Sequence, residues 1–173
     1  MTHTVATRLG RSLLAAALAG GVLLAAAPAA TAEPALRAGE KLGPSGFGGV
    51  RLGMSAKEAR ATGAIVPKTR GGSCSGWDLK AHPSGQDRVG LYISKKLGVA
   101  VIFAPEGVTT PQGIGLGSTG KQLKAAYPKL KRAASGFPVV KVPGNPKASY
   151  YFLLSDDKIY EMGLALTDQD CVN

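Results

Sequence analysis

The chain has 173 residues, 45% of them hydrophobic and 18% charged, with 21 Lys and Arg against 11 Asp and Glu for a formal net charge of +10. That length suits one ordinary domain with a real core, or two small ones fused. A basic balance favours solubility and attraction to anionic surfaces, but identifies no partner by itself.

In chain order, residues 1–32 read as an export signal. Arg8 and Arg11 form a basic start, Leu13 to Ala26 an apolar run, and Ala30-Thr31-Ala32 a small-x-small cleavage site. The run is shorter than the roughly 20 residues that cross a bilayer, and no later stretch approaches it, so the chain is not expected to span a membrane. Cleavage near Ala32 leaves 19 basic and 11 acidic residues, a net of +8, in a secreted, extracellular protein expected to be a monomer. Residues 33–47, rich in Pro and Gly, are expected to form a flexible arm.

The segment "RLGMSAKEARATG", 51–63, aligns with "GLGSTGKQLKAAYP", 115–128, at an offset of 64 residues. Leu52 and Gly53 match Leu116 and Gly117, Ser55 matches Thr119, and Glu58 matches Gln122. Each copy is a capping box, in which the hydroxyl accepts a first-turn N–H and the Glu or Gln accepts the cap's own N–H. Short helices are therefore predicted over about 56–62 and 120–127, the second closed by Pro128. Gly115 to Gln122 also fits two phosphate-loop patterns, GxGxxG and GxxxxGK. Gln122, however, stands where the metal-binding hydroxyl belongs, and "GVTTPQG", 107–113, is a linker where the preceding strand is required. A nucleotide cofactor is not expected.

After each helix come period-two strands in hairpins: 89–94 with 98–104, and 150–154 with 159–166, preceded by possible strands at 76–82 and 137–142. Alternation assigns Val89, Leu91, Ile93, Val99, Val101 and Phe103 to the core, with Tyr160, Met162, Leu164 and Leu166. Gly90, Tyr92, Ser94 and Ala100 take the other face, with Ile159, Glu161, Gly163 and Ala165. Gly90, Gly163 and Ala165 are small enough there to let a partner's side chains approach. The expected fold is α+β, with two tandem repeats, each a short capped helix packed on an antiparallel hairpin or small sheet: unit one at 48–104, a linker at 105–113, unit two at 114–173.

Two cysteines in an exported chain are expected to pair, Cys74 with Cys171. No metal site is expected, because the mature chain has one histidine, His82, and no CxxC spacing. No catalytic residue is expected either. His82 lies beside Ser84 and Asp87 only along the chain, and Asp156-Asp157 form an exposed hairpin tip. Between Lys121 and Lys147 lie six Lys, one Arg and no acid, a stretch suited to an anionic cell-wall polymer. Nucleic acid is not expected as a partner, since the aromatics that stack bases are not interleaved there.

The paired "LGMSAKEA" and "LGSTGKQL" segments, each followed by a hairpin, resemble the LGMT-type repeats of the β-lactamase inhibitory protein family and related small bacterial envelope proteins. The resemblance implies helices on one side of an antiparallel sheet in each repeat, and an opposite side that grips an enzyme. The cysteine placement departs from that family, as does the Lys95-Lys96 tip where an acidic one is implied. The sequence thus reads as a secreted, non-enzymatic binding protein, an inhibitor-like partner of a secreted hydrolase. The alternative is an envelope protein held on anionic wall polymer. Candidate partner-binding residues are Trp77, Tyr92, Tyr151, Lys95, Lys96, Asp156 and Asp157.

Overall fold

The computed structural model describes residues 39–172; the expected export signal and residues 33–38 of the expected arm lie outside them. The elements run β1 (Gly46–Phe47), β2 (Val50–Arg51), α1 (Ala56–Ala61), β3 (Ile65–Thr69), β4 (Cys74–Leu79), β5 (Leu91–Ser94) and β6 (Gly98–Phe103). They continue with α2 (Gly120–Ala126), β7 (Lys131–Arg132), β8 (Pro138–Val142), β9 (Asn145–Ser155) and β10 (Lys158–Leu166).

Both helices start where the capping boxes place them. The Ser55 hydroxyl accepts from the Glu58 N–H at 3.3 Å, and the Glu58 carboxylate accepts from the Ser55 N–H at 2.8 Å. Thr119 and Gln122 repeat the exchange at 3.2 and 2.8 Å. The glycines before them turn the chain. Gly53 and Gly117 hold φ of 79° and 82°, a left-handed geometry that costs a side chain energy. Each turn is fastened to the second strand of its hairpin. The Gly53 N–H donates to the Val99 carbonyl at 2.9 Å, and the Gly117 N–H to the Ile159 carbonyl at 2.8 Å.

The α+β arrangement of two helix-on-hairpin repeats is not what the chain adopts. The helices are only 6 and 7 residues long, the protein is mostly β, and the strands merge into one eight-stranded antiparallel sheet of order β3-β4-β5-β6-β10-β9-β8-β7, beside the two-stranded β1-β2. The sheet is continuous because β10 pairs with β6 as well as β9, through Gly163 opposite Phe103 and Ala165 opposite Val101. Hydrophobic alternation reports which face a strand buries and nothing about its lateral neighbour. An unpaired edge is a standing liability, and joining β6 to β10 removes two of them.

One row of paired side chains crosses the sheet on the core face: Val140, Tyr150, Leu164, Ile102, Leu91 and Trp77, all buried. Ala59 of α1 and Leu123 of α2 pack into the same cluster, so the helices cover this face. Part of the segment expected as a flexible arm is packed there too. Leu42 and Phe47 are buried, and the Tyr150 hydroxyl donates to the Leu42 carbonyl at 2.8 Å.

Three bulges decide which residues face away from the helices. On β6 Tyr92 pairs with Val101 and Ile93 with Val99, leaving Ala100 as the extra residue. On β10 Leu154 pairs with Ile159 and Leu153 with Glu161, leaving Tyr160 extra. On β3 Lys68 is extra between Pro67 and Thr69. An extra residue reverses alternation on one side of it. Val101 and Phe103, expected in the core, therefore stand with Tyr92 on the open face. Tyr160, also expected inside, is 47% exposed, and Ile159 takes the core position.

Candidate functional site: an aromatic cavity on the open sheet face

Cross-strand pairing lays out the open face as rows. One row runs Val139, Tyr151, Gly163, Phe103, and the next runs Lys141, Ser149, Ala165, Val101, Tyr92, Gly76. Over these rows lies a cavity of about 1140 Å³. Of the ten aromatic residues in the chain, five line it: Tyr92, Phe103, Phe137, Tyr151 and Tyr160. Three form a connected series of edge-to-face contacts, with Tyr92 to Phe103 at 5.9 Å between centroids and Phe103 to Tyr151 at 6.2 Å, a geometry the aromatic quadrupole favours.

Two segments wall the cavity, and each is pinned from the sheet. The loop after β4 is held by Asp78, whose carboxylate accepts from the Lys68 ammonium at 2.9 Å, from the Gly90 N–H at 3.1 Å and from the Ser84 hydroxyl. Burial pushes the Asp78 carboxyl up, but the hydrogen bonds from Ser84 and Lys68 outweigh it and hold it below the usual carboxylate range. The other wall is the strap 167–172. The expected Cys74–Cys171 disulfide is present, with Cα atoms 5.7 Å apart, and it draws the strap across the open face. Cys171 and Val172 then pack with Ala100, Val101 and Ala165. Lys141 ties the near end of the strap, donating to the Thr167 hydroxyl at 2.7 Å.

Tyr151 is the centre of the face. Its ring lies over Gly163 on the facing strand, so that a Cβ built on Gly163 meets the Tyr151 ring and hydroxyl within 2.7 Å. The space expected to admit a partner's side chain at Gly163 is thus filled from within. The Tyr151 hydroxyl is enclosed and has no hydrogen-bond partner among the described residues. Burial holds it well above the ordinary phenol range, with the Glu161 carboxylate and Tyr92 adding to the effect.

The other sequence candidates divide. Tyr92 and Tyr151 line the cavity, whereas Trp77 belongs to the buried core row, packs beneath α1, and donates its indole N–H to the Ser75 hydroxyl at 2.8 Å. Lys95 and Lys96 are exposed in the β5–β6 turn, where the Ser94 hydroxyl accepts the Lys96 N–H at 3.1 Å. Asp156 and Asp157 form the β9–β10 turn with φ of 50° and 60°, and the Asp157 carbonyl accepts the Gly120 N–H at 3.1 Å. Phe103, Phe137, Tyr160 and Glu161 were not among the sequence candidates for binding. The bulges that bring Phe103 and Tyr160 round leave no mark in composition or period.

Two other arrangements resolve into structure. The N–H groups of Gly115, Gly117, Ser118, Thr119, Gly120 and Gln122 all donate within the protein, so the glycine-rich segment is a turn and helix cap. His82 pairs with Glu40 at 2.8 Å, while Ser84 bonds to Asp78 and Lys68, so histidine and serine belong to separate networks.

No family model matches the chain, and no curated protein matches it. Among solved structures, the uncharacterized protein yfeY from Escherichia coli is similar at 15% sequence identity and a TM-score of 0.45, over 72% of this chain and 99% of that one. A likeness that remote says nothing of activity or partner.

Proposed function

We propose that the protein is a non-enzymatic binding protein that takes a protein partner on the open face of its sheet. The observation that carries this reading is the gathering of half the aromatic residues around one cavity, on the face that no helix covers. Tyr is among the residue types that dominate the energetics of protein interfaces. The disulfide is compatible with an extracellular setting, and none of the described helices is long and apolar enough to cross a membrane. The partner class implied by the sequence resemblance is a secreted hydrolase, and inhibition is the effect implied with it.

The test is capture from culture supernatant and from cell wall with the oxidised protein, beside Tyr92→Ala and Phe103→Ala. One partner recovered by the parent and lost from both variants supports the reading. Equal recovery by all three removes the open face from consideration. A second reading rests on the exposed Lys121 and Lys124 of α2, with Lys129 and the edge strand Lys131–Arg132: attachment to anionic wall polymer. Such attachment weakens steeply with ionic strength, whereas aromatic-centred binding persists.

A further inference from the structure

We infer that the open-face cavity is built to receive a guanidinium group, an arginine side chain presented by the partner. The inference rests on the open-face reading above and names the chemistry of what enters.

Glu161 keeps the open side that alternation with Gly163 and Ala165 gives it, opposite Leu153 and two positions from Gly163. Glu161 is partly buried and lines the cavity beside the aromatic series. The two ion pairs among the described residues are Lys68 with Asp78 and His82 with Glu40, and Glu161 belongs to neither. Glu40 and Asp78, the other part-buried or buried carboxylates among the described residues, are both paired, so Glu161 is the exception. In the same cavity is the enclosed Tyr151 hydroxyl, likewise without a partner among the described residues. Of the basic residues around the cavity, Lys141 is committed to the Thr167 hydroxyl and the Pro146 carbonyl. With His82 paired to Glu40, the carboxylates of Asp87, Glu106 and Glu161 line the cavity against the two cations Lys141 and Arg88.

A guanidinium suits that combination better than an ammonium. It is planar and weakly hydrated, it stacks on aromatic faces, and it offers a carboxylate two parallel N–H donors. The aromatic faces supply the cation–π attraction and Glu161 the counter-charge. The cavity is far larger than one side chain, which leaves room for the protein surface that carries the arginine.

The probe is N-acetyl-arginine amide, titrated into the oxidised protein with backbone amide NMR shifts as the readout, beside the neutral isostere N-acetyl-citrulline amide. Saturable shifts at Gly163 and Phe103 with the arginine compound, and a citrulline response weaker by a factor of about 10 or more, are expected for one charge-assisted contact. Glu161→Gln, close in shape, is expected to bring the two compounds level while leaving the melting curve unchanged. Equal binding of both compounds to the parent, no saturable response, or an undiminished arginine response in Glu161→Gln overturns the inference. If the captured partner survives Glu161→Gln but not Tyr92→Ala, the binding face stands and the arginine assignment falls.

Discussion

Replacing both Cys74 and Cys171 by Ser is predicted to cost about 4 to 5 kcal/mol of stability. The bridge closes a separation of 97 residues, and the chain-entropy relation gives about 4.7 kcal/mol at 25 °C for a loop of that size. The native structure lost in exchange is confined to the end of the strap around residues 171 and 172. The strap's own hydrogen bonds are local, with the Gln169 side chain accepting the N–H groups of Cys171 and Val172 at 2.8 and 2.9 Å, and Lys141 still holding Thr167. The loss falls on the unfolded state, through regained chain freedom. Guanidinium unfolding followed by circular dichroism measures it, and the melting temperature should fall by roughly 10 to 20 °C for a domain of this size. Hydrogen exchange supplies the local half of the experiment: Cys171 and Val172 lose their protection while the β6–β10 pairing keeps its own up to the reduced global limit. A penalty below about 1 kcal/mol refutes the assignment of the bridge to the unfolded chain. A strap that stays protected without the bridge refutes its role as the tether.

Gly53→Ala and Gly117→Ala should each cost about 1 kcal/mol, because both positions hold positive φ with nothing within 4 Å of the added Cβ, so strain and not crowding is the cause; urea midpoints measure it. Tyr151→Phe should leave stability unchanged or raise it by roughly 1 kcal/mol, since it removes an enclosed hydroxyl without a partner; a clear loss means that the hydroxyl is bonded. The loop wall should loosen in acid. Asp78 titrates below the usual range when folded, so its contribution is complete above the ordinary carboxylate value of about 4 and is lost as pH falls through the lowered one. The Gly90 amide shift, followed on acidification, reports it.

The sequence is most legible where local chemistry decides. Ser55 with Glu58 and Thr119 with Gln122 are complete signals within four residues, and the helices begin where those signals place them. Strands β5, β6, β9 and β10 could be read from alternation, because their apolar residues repeat with a period of two. The merger of those strands into one sheet could not. It depends on β6 and β10 lying side by side, a contact between residues some 60 positions apart that neither strand specifies alone. Nor could the bulges, where one unpaired residue in each of three strands reverses faces without altering composition.

The candidate site was half legible for the same reason. Tyr92 lies on β5, which carries no extra residue in its pairing with β6, and kept its assigned face; Phe103 lies beyond Ala100 on β6 and lost it. Gly163 could be read from its residue type as a point of close approach within a strand. What approaches, however, is the ring of Tyr151 from the same sheet, and this alters what the open face offers. An empty notch at Gly163 would select a partner by shape. A notch filled by a tyrosine whose hydroxyl has no partner among the described residues, on the same face as a carboxylate outside their ion pairs, would in the proposed reading select by charge and hydrogen bonding instead. The glycine is therefore part of the proposed recognition surface without being open to a partner: a larger residue there lifts the Tyr151 ring from its seat over Gly163.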